Sequence, residues 1–198
     1  MSPRRAKVER STSEVEVAVE LDLDGSGRAL ADTGLPFLDH MLAQLARHAR
    51  FDLDVRAKGD LEVDAHHTVE DTGIALGTAL GQALGDKSGL RRFGDATVPL
   101  DEARARAVVD LSGRPYLVWD VQVAPAVGEL GGFHPLQARH LLDGLVANAK
   151  VTVHVILEAG ELPHHCLEAC FKALARALGE ACQPDPGAGA GSTKGTLA

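Results

Sequence analysis

Two short stretches concentrate the residues that could do chemistry. HHTVE runs from His66 to Glu70, and HHCLE runs from His164 to Glu168. In each, imidazoles stand three and four positions ahead of a carboxylate, spacings that share a helix face. The two His of a pair lie ~100° apart around a helix axis. They cannot easily point to one spot, so each suits a different ion. A helix start disfavours imidazolium and keeps the rings neutral, the form that binds metal. One such motif is a polar helix start with Glu as a capping group. Two copies, each preceded at a matching place by a further His (His40 and His140), make a set of six His and two Glu.

Imidazole and carboxylate without thiolate suit Mn²⁺, Fe²⁺ or Zn²⁺ in a site other than a Cys-type structural zinc. Eight ligands, namely His40, His66, His67, Glu70, His140, His164, His165 and Glu168, divide as four for each of two ions. An octahedral ion then keeps two open positions, as catalysis requires. Cys166 sits among these ligands, but its counterpart in the other copy is Thr68, so it is read as a packing residue. On these residues alone the chain is a dimetal enzyme of unstated reaction, a dimetal hydrolase included, or a metal-organised assembly module.

The elements that must carry these residues repeat as well. Val15, Val17, Val19, Leu21 and Leu23 alternate with polar residues, the period of a half-buried strand. DGSG (24–27) predicts a hairpin turn, with a short strand returning over 28–32. A helix follows with Pro36 in its first turn and Leu38, Met41, Leu42, Leu45 and Ala49 on one face. FDLDVRAKGDLEV reads as a strand, and the helix from His66 turns Val69, Leu76, Leu80 and Leu84 inward. Gly77, Gly81 and Gly85 on that helix would admit a second helix closely. Each costs ~1 kcal/mol of helix propensity relative to Ala, which tight packing must offset.

The second half repeats the order, with strands at ARARAVVDL and YLVWDVQV, a helix at LQARHLLDGLVANAK, a strand at VTVHVILEAG and the helix from His164. Aligning His40 on His140 matches Leu42 with Leu142, Leu45 with Leu145 and Val55 with Val155. A two-residue shift then brings the His pairs into register. Duplication explains two matches in one order. The expectation is an α+β fold of two ββαβα units, with sheets packed against a four-helix layer. The first half-repeat would span 1–97 and the second 98–183. A Gly/Ala/Pro-rich tail, 184–198, reads as a flexible end.

The remaining composition narrows the function. With 198 residues, 45% hydrophobic and 24% charged, the chain can build a real core. A net charge of -8 without a basic tract argues against nucleic acid. No apolar run approaches the ~20 residues of a membrane span, and no signal peptide follows the N-terminal Arg residues. Three Cys without a CxxC read as reduced thiols in a cytoplasm.

Taken together, GLPFLDHMLAQLARH, HHTVEDTGIALGTAL, RRFGDATVPLDEA, DLSGRPYL, HHCLEACFKALARAL and STKG resemble the imidazoleglycerol-phosphate dehydratase family of histidine biosynthesis, from about Arg10 to Leu197. The resemblance implies two Mn²⁺ per active site. It also implies a homo-oligomer of 24 subunits with interfacial sites, and a phosphorylated imidazole substrate. It assigns the same eight metal ligands. It further implies substrate contacts at Gln44, His48, Arg92, Arg114, Lys172, Ser192 and Lys194, and at Glu14, which would reach a neighbouring subunit's site. The tail's STKG would then close over phosphate. Where relatives commonly carry an acidic residue ahead of the first His pair, this chain has Ala65; Val15 and Glu16 replace a usual polar pair after Glu14.

The implied reaction removes water from imidazole glycerol phosphate to give imidazole acetol phosphate. The lost C–H proton has no carbonyl beside it, so the ring must drive the step as an imidazolate held by the two ions. Glu14 is the candidate acid/base. A metal-bound water or the ligand carboxylates Glu70 and Glu168 are the alternatives.

Overall fold

The structure is a computed structural model describing residues 4–123 and 128–189. The first half contains β1 (Arg5–Ser11), β2 (Val15–Asp22), β3 (Ala29–Asp32), α1 (Pro36–Ala49), β4 (Asp52–Gly59) and α2 (His66–Leu84). The second contains β5 (Phe93–Leu100), β6 (Ala103–Asp110), β7 (Tyr116–Asp120), α3 (Gln137–Ala149), β8 (Thr152–Ala159) and α4 (Pro163–Ala181). The sheets are ordered β1-β2-β4-β3 and β5-β6-β8-β7, each antiparallel except for a parallel last pair. The fold is α+β, and the duplication is visible in its backbone. α1 and α3 both end in a left-handed cap, Arg50 (φ 62) and Lys150 (φ 52), whose N–H groups donate to Ala46 and Val146.

Each unit keeps the expected ββαβα order with one more strand ahead of it. β1, RAKVERS, has no fully buried position; only Ala6 and Val8, partly buried against the core, give a brief alternation, a weak strand signal. It forms because β2 offers its edge, in register from Arg5↔Asp22 to Ser11↔Glu16. The boundary expected between 97 and 98 falls inside β5, which belongs to the second sheet throughout. The turn at 24–27 does not make a hairpin. β3 crosses over to run parallel to β4, which lies between β2 and β3. A buried apolar face on both β2 and β4 makes them the central pair.

The helices join the halves. α2 packs on the first sheet and on α3, while α4 packs on the second sheet and on α1. A Cβ on Gly73 would lie 2.2 Å from the Leu141 carbonyl oxygen, and one on Gly77 2.4 Å from that of Leu145. Gly144 returns the contact against Gly73 and Ile74. Gly77 and, less tightly, Gly81 therefore admit the partner helix as expected. Gly85 does not; it is the C-cap of α2, in a left-handed φ of 59° with open space around it. Part of the expected flexible tail is tied down: Asp185 N–H donates to Gly89 O at 2.7 Å, and Gly89 N–H to Gly189 O at 2.7 Å.

Candidate active site and metal centres

Because α1 pairs with α4 and α2 with α3, each cluster of ligands crosses the halves. His40 comes from α1, and His164 and Glu168 from α4. His40 Nε2 and His164 Nε2 each lie 3.0 Å from Glu168 Oε2. All three ligand atoms fall within 4.8 Å of one another. Phe37 stands edge-on to His164, with centroids 5.2 Å apart, and the fully buried Phe133 backs it at 5.7 Å. One turn beyond Glu168, Lys172 Nζ donates to Oε1 at 2.5 Å. Burial pushes the Glu168 carboxyl up. Hydrogen bonds from Lys172, His40 and His164 outweigh it and bring it down to about 2, so the group is a charged acceptor.

The other cluster is its pseudo-symmetric counterpart. His66 of α2 meets His140 of α3 with centroids 5.1 Å apart, and His66 Nε2 is 4.0 Å from Glu70 Oε2. It is the looser of the two. The Glu70 side chain is 49% exposed, against 10% for Glu168. A Cβ on Gly144 would lie 3.1 Å from the Glu70 carbonyl oxygen, so the glycine lets this helix pair sit close.

His67 and His165 turn away from both clusters, their ring planes at 69° and 85° to those of His66 and His164. His67 Nδ1 lies 3.0 Å from Asp60, and its Nε2 3.8 Å from Glu14. His165 Nδ1 lies 2.8 Å from Glu102, and its Nε2 3.8 Å from Asp101. A carboxylate that accepts a hydrogen bond from Nδ1–H leaves the Nε2 lone pair facing away from it, the usual support for a ligating His. The Asp60 bond raises the pKa of His67, and the Glu102 bond that of His165. Glu102 itself is lowered to about 2 by His165, then by the backbone N–H of Leu162.

Asp60, Asp101 and Glu102 were not among the residues singled out from the sequence. Asp101 and Glu102 form the tip of the β5–β6 hairpin, as Glu14 lies at the tip of β1–β2. Glu14 precedes β2 as Glu102 precedes β6, so extending the repeat upstream would have exposed the match. The two unread strands concealed it.

Comparisons with known proteins agree with this geometry. The family model described as "Imidazoleglycerol-phosphate dehydratase" matches residues 33–178. A protein of that name from Frankia casuarinae is 57% identical over 98% of this chain and 99% of its own. The chain belongs to the imidazoleglycerol-phosphate dehydratase family. It is accordingly an enzyme, a hydro-lyase of the kind that serves histidine biosynthesis. The crystal structure of the dehydratase from Staphylococcus aureus superposes with a TM-score of 0.81 at 34% identity, covering 91% of this chain and 99% of that one. The one from Pyrococcus furiosus, solved in complex with (S)-C348, gives 0.82 at 34%, covering 96% and 100%.

The residues expected to contact substrate are not gathered in one place within the chain. His48 Nε2 lies 3.1 Å from Gln44 Oε1 on α1. Burial lowers the pKa of His48, and Lys172, Arg176 and Arg47 add to the effect. Lys172 is engaged with Glu168, beside the first cluster. Arg92 lies elsewhere. Its backbone N–H donates to Ala181 O, at the C-terminal end of α4, and its guanidinium holds both oxygens of Asp110 at 2.7 and 3.1 Å. At 1.5 Å per residue, the length of α4 puts this point ~25 Å from His164. Arg114 follows in the turn after β6, with Nη1 3.3 Å from Ser112 O. Ser192 and Lys194 lie outside the described residues. Cys166 is buried, and burial raises its thiol pKa, in line with a packing residue.

Proposed function

We propose that the chain dehydrates imidazole glycerol phosphate to imidazole acetol phosphate in histidine biosynthesis. We propose further that it does so in a cytoplasmic homo-oligomer of 24 subunits carrying two Mn²⁺ per active site. The observation that carries this reading is the pair of crossed clusters, His40–His164–Glu168 and His66–His140–Glu70, each one ligand short of the four expected, with His67 and His165 turned outward. A neighbouring copy's outward His would complete each set. The donors fit the ion: two imidazoles and a carboxylate, with no thiolate, suit a borderline dication. The cytoplasmic placement is supported by three free, buried cysteines.

Bound Mn²⁺ would supply the Lewis acidity that holds the substrate ring as imidazolate. The chain's own groups do the rest. Glu14, 3.8 Å from His67, would exchange a proton with the carbon chain of the substrate. Glu70 and Glu168 remain the competing carboxylates. Arg92 is too far from the first cluster of its own chain, so it would bind phosphate at a neighbour's site, with Arg114 as its companion. The tail leaves Gly189 beside Gly89, and Lys194 is only five residues on. Anchoring the phosphate there would orient the ring.

The test is turnover of imidazole glycerol phosphate by metal-stripped protein before and after adding Mn²⁺, with particle size followed on the same samples. Product that depends on Mn²⁺ is expected. A well-formed, metal-loaded particle without product would overturn the reading and favour a metal-organised assembly module. A dimetal hydrolase would instead release phosphate from simple esters and be indifferent to substitution of Arg92 and Arg114.

A further inference from the structure

The two halves of the site repeat the ligands but not their surroundings. Four residues after Glu168, on the same helix face, Lys172 donates to Glu168 Oε1. The matching position after Glu70 is Ile74, a partly buried apolar residue. Glu168 is thus held by an ammonium and approached by two imidazoles, through His40 and His164 at 3.0 Å each. Glu70 has one imidazole at 4.0 Å and a half-exposed side chain.

We propose that Lys172 acts as a built-in counter-ion that makes the two metal centres unequal, weakening the centre at His40–His164–Glu168 relative to the one at His66–His140–Glu70. This rests on the dimetal reading above. A dication entering beside Glu168 meets a carboxylate whose charge an ammonium already balances. Either the ion pair breaks, or two like-signed cations share one buried carboxylate. Both imidazoles must also give up their approach to Oε2 before their lone pairs can face an ion. Among the described residues no Lys or Arg pairs with Glu70, and its half-exposed carboxylate is open to a hydrated ion. The tighter preformed geometry around Glu168 works the other way, but the charge that holds it together has the same sign as the incoming ion.

The experiment counts Mn²⁺ bound to metal-stripped, full-length protein, following the free-ion signal by electron paramagnetic resonance. Wild type should show two classes of one site per chain, separated at least ten-fold in affinity. Glu168→Gln should remove the weaker class and Glu70→Gln the tighter one. Lys172→Gln should tighten the weaker class about ten-fold, and Lys172→Arg should leave it weak. Ile74→Lys, which writes the counter-ion into the other half, should weaken the tighter class by a similar factor. Two equal sites in wild type would overturn the proposal, as would a weaker class that Lys172→Gln leaves unmoved. Either outcome leaves the dimetal reading standing. Absence of Mn²⁺ binding to intact particles would overturn both.

Discussion

The seam between α2 and α3 offers a graded test, because three glycines along one helix face meet the partner at different clearances. An added Cβ would lie 2.2 Å from backbone at Gly73, 2.4 Å at Gly77 and 3.2 Å at Gly81. Ordinary contact begins at 3.4 Å, so Gly73→Ala requires α3 to retreat by about 1 Å. The obstructing atoms are carbonyl groups of a packed helix and cannot turn aside. Overpacking of this kind costs about 1–3 kcal/mol. Replacing Gly by Ala within a helix returns up to about 1 kcal/mol. The net loss at Gly73 and Gly77 is therefore about 1–2 kcal/mol, a fall in melting temperature of roughly 2–8 °C for a chain of this length. At Gly81 the two effects nearly cancel. The same retreat separates His140 from His66, so Mn²⁺ affinity at that centre should fall on the order of ten-fold. Thermal melts of the metal-stripped variants, with Mn²⁺ titrations alongside, read both effects. A Gly73→Ala protein that melts at or above wild type would show that propensity outweighs packing and refute the close-seam argument.

Other outcomes follow from individual residues. Lys87 is buried and donates to the last carbonyls of α3, at Ala149 (3.0 Å) and Lys150 (2.7 Å). Lys87→Met should cost about 1–3 kcal/mol in denaturant unfolding, and an unchanged midpoint would remove that role. In metal-free protein, His67 and His165 should titrate above the ordinary His range and His48 below it, checked by NMR of the ring protons. The signs differ accordingly. The raised pair stabilises the fold below the unfolded His value and loses that contribution as pH rises through the folded one. His48 contributes above the unfolded value and loses its contribution as pH falls through its lowered one. Glu14→Gln should bind substrate with little change yet lower turnover by about 10²–10⁴-fold; wild-type turnover would take Glu14 out of the chemistry.

The sequence by itself determined the candidate ligand types, their helical spacing and the duplication. HHxxE is written twice with a matching His ahead of each copy, and residue identity and covalent order are enough to read that. It also determined the central strands, because Val15 through Leu23 alternate with the period of a half-buried sheet. β1 was not legible. It presents only Ala6 and Val8 to the core, both partly buried, and it becomes a strand because the edge of β2 is there to pair with it. The hairpin expected at 24–27 failed for a related reason: local turn chemistry ends a strand, but the choice of the next partner belongs to the whole sheet. Tertiary structure alone decided which His meets which. Helical spacing separates His66 from His67, yet only the packing of α2 on α3 and of α4 on α1 could assign His66 to His140 and His164 to His40. The same packing turned His67 toward Asp60, just after β4, and Glu14 at the β1–β2 tip, and His165 toward Glu102 at the β5–β6 tip. It also put Lys172 against Glu168 while Ile74 stands beside Glu70. Helix periodicity fixes which side chains share a face, but what lies opposite that face is set by contacts between residues far apart in the chain.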